Sequence, residues 1–384
     1  MNAEIKLLDQ TLSLIHIPLG LYSQFLQPIL RLLLPSPCAK LEDEFGELTL
    51  AQEHGFLNIS VTPIECSIAC NETWSRTVFE PIIKQLPKNS AKTVSISAES
   101  YCVFRVSSPG ADAGSRVVDL TSPLALAGIS IFFITTYYSD FLIVPTRSRQ
   151  NVVQALFEQG FECSEDSSSS FVSPVASSHA RGLSQDSDDP PSTPPPSNAA
   201  ELQLRTFKLL KKHNVVAHTE PNLRLIYCSG KDVSQLETYS RPSRSYAGNG
   251  SHRKSSWFDK VDTKFYTSLV AALVSQPRFL SVTLAEEDEP SLLIDRCLLD
   301  TFGDSLIGPT DADLTPILLD LVDLPFGATG IVAGVAGKLV EGMRMENAEL
   351  SYLSTAKTGA VMLSSEYADR ALEILSPLLL PKEV

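Results

Sequence analysis

Residues 129–144 read Ile129-Ser130-Ile131-Phe132-Phe133-Ile134-Thr135-Thr136-Tyr137-Tyr138-Ser139-Asp140-Phe141-Leu142-Ile143-Val144. Two aromatic and β-branched runs meet at a polar break, which is the pattern of a β-hairpin. The apolar stretch from 125 to 144 is about the length of a membrane span. Its middle would set several hydroxyls and the charge of Asp140 in lipid, so no membrane span is expected. Upstream, residues 100–106 have strand character, and 117–127 have helical spacing that closes on Gly128, a residue suited to end a helix. Downstream, 147–159 reads as a helix and 161–163 as a closing strand.

The same order recurs near the end of the chain: strand 314–324, helix 329–341, hairpin 348–355 with 360–363, and helix 365–375. Aligned on the hairpins, Ile134-Thr135-Thr136 matches Leu353-Ser354-Thr355, and Asp140 falls opposite Gly359. An earlier copy runs strand 5–17, helix 21–34, strands 56–61 and 64–69, and helix 74–86. A third, less regular copy runs 222–228, 258–274, 279–284 and 291–294. The expected fold class is therefore α+β, with tandem βαββαβ (ferredoxin-like) modules whose antiparallel sheets carry helices on one face. The expected divisions are 1–95, 96–163, 200–310 and 311–384. Residues 164–199, with Ser167-Ser168-Ser169-Ser170 and Pro194-Pro195-Pro196, are expected to be a disordered linker. Residues 230–256 read as a polar insertion in the third module.

Of the 384 residues, 43% are hydrophobic, enough to bury a core. The net charge is −14, and the 31 Lys and Arg gather in no long stripe, which sets nucleic-acid binding aside. The start, Met1-Asn2-Ala3-Glu4-Ile5-Lys6, lacks the basic and apolar regions of a secretion signal. Seven scattered cysteines (Cys38, Cys66, Cys70, Cys102, Cys163, Cys228 and Cys297) suggest reduced thiols and a cytoplasmic location. Cys66 and Cys70 have no second Cys or His pair nearby, so buried apolar cysteine is the plainer reading than zinc.

The six histidines, His16, His54, His179, His213, His218 and His252, form no H-E-x-x-H pattern. Gly337-Lys338 lacks both the first glycine and the Ser or Thr of a P-loop, and no G-x-S-x-G occurs. No catalytic residue, metal site or cofactor is expected, and the chain is not read as an enzyme.

Three stretches resemble the CASTOR family of cytosolic arginine sensors, which are built from ACT-type modules. They are Pro18-Leu19-Gly20-Leu21-Tyr22-Ser23 with Pro28 to Pro35, the hairpin quoted above, and Phe326-Gly327-Ala328-Thr329-Gly330-Ile331-Val332-Ala333-Gly334-Val335-Ala336-Gly337. The resemblance covers 1–163 and 314–376. It implies a small-molecule amino acid held between the second and fourth modules by Ser130, Ile131, Gly330, Ile331, Val332, Thr355 and Ala356. It further implies a role in target-of-rapamycin signalling, a GATOR-type partner complex and a homodimer.

The chemistry suits those residues. Glycines let main chain approach a ligand, N–H groups opening a helix attract a carboxylate, and Ser130 and Thr355 offer hydroxyls. One departure bears on specificity. Gly327, Ala328 and Gly359 stand where the family has the acids that grip a guanidinium. Charged hydrogen bonds contribute roughly 1.5–3 kcal/mol each, so their loss implies at least ~100-fold weaker arginine binding. Asp323 is the nearest acid in sequence. An uncharged or smaller amino acid is therefore the expected ligand. The alternatives are a ligand-free ACT scaffold and the regulatory part of an amino-acid-metabolic enzyme. Arg253-Lys254-Ser255-Ser256 reads as a basophilic kinase site.

Overall fold

The computed structural model describes residues 3–33, 55–107, 113–164, 196–231, 263–286, 288–343 and 350–379. The expected linker at 164–199, except its ends, lies outside these residues, as do most of the insertion at 230–256, Arg253 to Ser256, Cys38, His54, His179 and His252.

The four hairpins form at Phe56–Val61 with Glu65–Asn71, Phe132–Thr135 with Asp140–Pro145, Leu280–Ala285 with Ser291–Asp295, and Ser351–Ser354 with Thr358–Ser364. They do not build separate ferredoxin-like ACT modules, each a sheet with helices on one face. All sixteen described strands join a single sheet, and twelve of them close on themselves as an antiparallel barrel. This overturns the expected fold class. Around the ring, Leu225–Gly230 leads through the third hairpin and the first hairpin to Glu4–Pro18. It continues through Tyr101–Ser107, the second hairpin and the fourth hairpin to Leu314–Asp320, which meets Leu225–Gly230 again at Leu314 and Leu225.

Pairing between repeats produces the closure. The first strand is 15 residues long and serves two of them. Its residues 12–18 pair with Glu65–Asn71, and its residues 4–8 pair with Tyr101–Ser107, with a register shift between Leu8 and Leu12. Strands that would be edges of separate sheets are paired as well: Phe56–Val61 lies along Leu280–Ala285 over six residue pairs. The second and fourth hairpins meet at Ile134 and Leu353, the positions that the sequence repeat equates. Around this pair the bonds are reciprocal. Phe133 N donates to Ser354 Oγ (3.0 Å) and Tyr352 N to Thr135 Oγ1 (3.1 Å), so a local two-fold relates the copies.

Strand alternation sorts the side chains onto two faces. Tyr101, Val103, Phe132, Ile134, Phe141, Ile143, Leu353 and Met362 fill the barrel interior. Their neighbours Phe104, Val106, Phe133, Leu142 and Val361 pack outward against the helices Ala113–Leu126, Arg149–Glu158, Ile331–Met343 and Ser365–Leu375. On the opposite flank Ile15, Ile59, Ile68 and Val282 pack against Tyr22–Leu33 and Thr263–Val274.

Helix Ala199–Lys212, absent from the sequence reading, packs against Ile331–Met343. Asn198 Oδ1 accepts from Glu201 N, and Glu201 Oε2 in turn accepts from Ser197 N, so the helix start is capped. The contact depends on glycine. A Cβ on Gly334 would stand 2.7 Å from Thr206 Cγ2 and Oγ1. Gly334→Ala is therefore expected to destabilise the fold by ~1–3 kcal/mol, because the β-branched Thr206 side chain has little freedom to yield. Urea unfolding checks this, and an unchanged midpoint would refute the close packing.

Candidate ligand site

Each of three hairpins turns on a threonine that bonds across the turn. Thr136 N and Oγ1 donate to Ser139 O while Ser139 N donates to Thr136 Oγ1. At Thr355, N donates to Thr358 O while Thr358 N donates to Thr355 Oγ1, and Thr62 bonds to Glu65 as Thr136 does to Ser139. The motif is Thr62-Pro63-Ile64-Glu65, Thr136-Tyr137-Tyr138-Ser139 and Thr355-Ala356-Lys357-Thr358. It fixes four-residue turns: those at Thr62 and Thr355 lie at one end of the barrel, and the one at Thr136, on a strand antiparallel to Ser351–Ser354, lies at the other.

A cavity opens beside the Thr355 turn, with an empty volume of about 570 Å³ that includes its mouth. One wall is helix Ala113–Leu126, at Thr121 and Ala125. A second is the sheet, at Phe132, Tyr352 and Ser354. The third is the loop from Leu321 that leads into helix Ile331–Met343. Six of the seven candidate residues line this cavity: Ile131, Gly330, Ile331, Val332, Thr355 and Ala356. Ser130 is buried one position before Ile131 and is not among the lining residues.

Gly330 has φ +79, a left-handed conformation that suits glycine, but a Cβ there would meet Leu202 at 2.7 Å. Its missing side chain makes room for helix Ala199–Lys212. The Thr355 hydroxyl is taken, since it donates to Glu65 Oε1 at 2.5 Å. The N–H groups that open helix Ile331–Met343 are left to a ligand. Gly334 N makes its helical bond to Gly330 O (2.8 Å), so the N–H groups of Ile331, Val332 and Ala333 precede the helical ladder. Tyr352 is 1% exposed, and its hydroxyl has no hydrogen-bond partner. A Cβ at Gly359 would lie 2.7 Å from that hydroxyl, so Tyr352 occupies the space a side chain at 359 would need.

Among the described residues no charged side chain lines the cavity. Lys357 stands at its rim, with Nζ donating to Leu324 O (2.9 Å) and lying 4.8 Å from the centre of the Phe326 ring. Partial burial lowers its pKa, partly opposed by Glu65 and Asp323. Asp323 itself is exposed and does not line the cavity.

Beneath the turn lies a residue the sequence reading passed over. Glu65 is fully buried. Its Oε1 accepts from Thr355 Oγ1, from Lys357 N (2.5 Å) and from Thr358 Oγ1 (3.2 Å), and its Oε2 lies 2.5 Å from His16 Nδ1. Ala356 N donates to Ser67 Oγ (3.0 Å) on the same strand. The first hairpin thus holds the fourth hairpin's turn from below. The signal in the sequence was a glutamate at the fourth position of a Thr-x-x-x turn, where the other copies have Ser139 and Thr358.

Among the described residues no three His, Cys, Asp or Glu side chains converge as metal ligands. Cys66, Cys70, Cys102 and Cys228 are buried free thiols, and burial raises Cys70 and Cys228 to about 12. Cys297 is exposed. No described helix is long and apolar enough to cross a membrane.

The architecture is that of an antiparallel barrel with an internally repeated hairpin and a cavity at a seam between repeats. Residues 96–158 match the family model of the ACT domain, so the chain contains an ACT domain there, which points to a regulatory, small-molecule-binding role. No curated protein matches the chain. Among solved structures, protein Atu0741 from Agobacterium tumefaciens is 19% identical over 42% of this chain and 92% of its own, with a TM-score of 0.27. The aspartate kinase from Synechocystis is 10% identical, covering 100% of this chain and 57% of its own, with a TM-score of 0.31. A Vibrio cholerae protein of unknown function, VC0802, is 14% identical over 41% of this chain and 90% of its own, with a TM-score of 0.25.

Proposed function

We propose that this chain is a non-catalytic, cytoplasmic amino-acid-binding regulator that holds its ligand between the second and fourth hairpins. The observation that carries this reading is a helix-opening set of N–H groups at a cavity with no charged side chain among its described lining residues. A ligand α-carboxylate suits the N–H groups of Ile331 and Val332. Ala125, Phe132 and Phe326 then surround a side chain that is small and uncharged. With Lys357 at the rim and no lining acid, a guanidinium would be buried unpaired.

A ligand that touches both repeats favours the arrangement in which both faces reach it, and so alters the outer surface. The resemblance to CASTOR-type regulators of target-of-rapamycin signalling supports a protein partner of the GATOR type and a homodimer as the readers of that change. Thermal melts of the full chain against all twenty amino acids test the proposal. Binding raises stability by RT ln(1 + [L]/Kd). Small uncharged amino acids are expected to raise the melting temperature, with arginine at least ~100-fold weaker. No shift with any amino acid would favour a bare scaffold, and tight arginine binding alone would contradict the specificity.

A further inference from the structure

A second cavity lies at the other seam, between the first and third hairpins, with an empty volume of about 700 Å³ that includes open solvent at its mouth. Its walls repeat those of the first in kind. Thr62 and Pro63 open their turn as Thr355 and Ala356 open theirs. Leu19 and Tyr22 bring in the start of helix Tyr22–Leu33, as Ile331 and Val332 bring in theirs. Across the seam, Pro277 and Arg278 lie in the loop after helix Thr263–Val274, as Ile131 lies in the loop after helix Ala113–Leu126. Both loops pass through a left-handed residue two positions beyond the helix, Gly128 at φ 72 and Gln276 at φ 55. A non-glycine residue keeps the same unusual backbone, so the loop geometry is retained in both copies.

The charges differ. The first cavity has none in its lining, whereas the second carries one of each sign, Arg278 and Glu220. Arg278 is anchored on buried Asp295, with Nε at 3.1 Å and Nη2 at 2.8 Å from Oδ2, and Nη2 also reaches Asn222 O (3.2 Å). Nη1 has only a 3.4 Å contact to Pro221 O, so the guanidinium retains donor capacity. The geometry points to a second small-molecule site here, for a zwitterionic amino acid with an extended apolar side chain. Its carboxylate pairs with Arg278, its ammonium group with Glu220, and its side chain packs against Leu19, Val61 and Pro277. This inference rests on reading the chain as an amino-acid binder, but in a different cavity with its own specificity.

Calorimetric titration of the full chain with L-leucine, L-methionine and L-phenylalanine tests it. Four proteins are compared: wild type, Leu19→Trp to plug the second cavity, Glu220→Gln to remove its anion, and Ala328→Trp to plug the first. At least one of the three ligands is expected to bind wild type and Ala328→Trp alike. Binding should fall by ~10-fold or more in Glu220→Gln, which loses a charged hydrogen bond, and vanish in Leu19→Trp. Absence of binding to wild type, persistence in both Leu19→Trp and Glu220→Gln, or loss in Ala328→Trp alone would each overturn the second site. Parallel titrations with L-alanine and L-serine report on the first cavity separately. Their loss in Ala328→Trp and retention in Leu19→Trp would uphold that reading even if the second site failed.

Discussion

Glu65→Ala is expected to destabilise the protein by ~3–5 kcal/mol, because several buried hydrogen-bond partners lose their acceptor at once. The side chain is fully buried, and its two oxygens serve His16, Thr355, Lys357 N and Thr358. Truncation would leave those donors in a water-poor interior, each with its own desolvation cost. The damage is also directional. The Thr355 turn would lose its support from the first hairpin, and that turn lines the cavity at Thr355, Ala356 and Thr358. Thr62 of the second cavity lies 3.4 Å from Thr358 through their hydroxyls, so the same contact joins the surroundings of both cavities. Urea unfolding should show the lower midpoint, and amide exchange should show faster opening at 355–358. A midpoint within ~0.5 kcal/mol of wild type, the range of ordinary surface substitutions, would mean that the network contributes little.

The second large effect is a pH dependence centred on Asp140. This residue is 1% exposed at the start of its strand, and burial pushes its carboxyl up to about 6, with Arg116 and Thr135 pulling the other way. Oδ2 lies 2.5 Å from Arg116 Nε in a charge contact rather than an aligned hydrogen bond, and Oδ1 has no partner. The sign follows from proton counting. An unfolded aspartate releases its proton near pH 4. Between there and about 6 the folded form keeps a proton that the unfolded form has lost. Stability from this group is therefore fully present below pH ~4 and falls as pH rises through the window, by about 3 kcal/mol in all. Asp140→Asn is neutral throughout. Its stability relative to wild type is thus expected to rise by about that amount from pH 4 to pH 7. Parallel stability curves for the two proteins would show that Asp140 titrates normally.

The hairpins and most helices were legible, and the closure was not read although its signal was present. The strand expected at 360–363, observed as Thr358–Ser364, and its partner are marked by a polar turn that interrupts apolar runs. Phe141-Leu142-Ile143-Val144 carries no alternation, however, and such a run is buried on both faces. An open sheet with helices on one face would leave Phe141 and Ile143 in water, while the barrel places them in its interior. Helix Ala199–Lys212 was missed because a Ser- and Pro-rich stretch runs directly into it. The Asn198-x-x-Glu201 cap and the apolar spacing of Leu202, Thr206, Phe207 and Leu210 marked it.

At the site, the glycine loop and the Thr355 turn were legible because both are local motifs. Which groups would be free could not be read from them. That Thr355 is consumed by Glu65, and that Gly330 serves Leu202, depends on residues 290 and 128 positions away. Tyr352 looked like an ordinary strand aromatic. Only the packing shows its hydroxyl without a partner beside Gly359.

The most direct test of the central claim is calorimetry of L-alanine and L-serine on wild type and Ala328→Trp. One equivalent bound by wild type and none by the plugged variant is the expected result. Equal binding by both proteins, or none by either, would contradict a ligand held at the seam between the second and fourth hairpins.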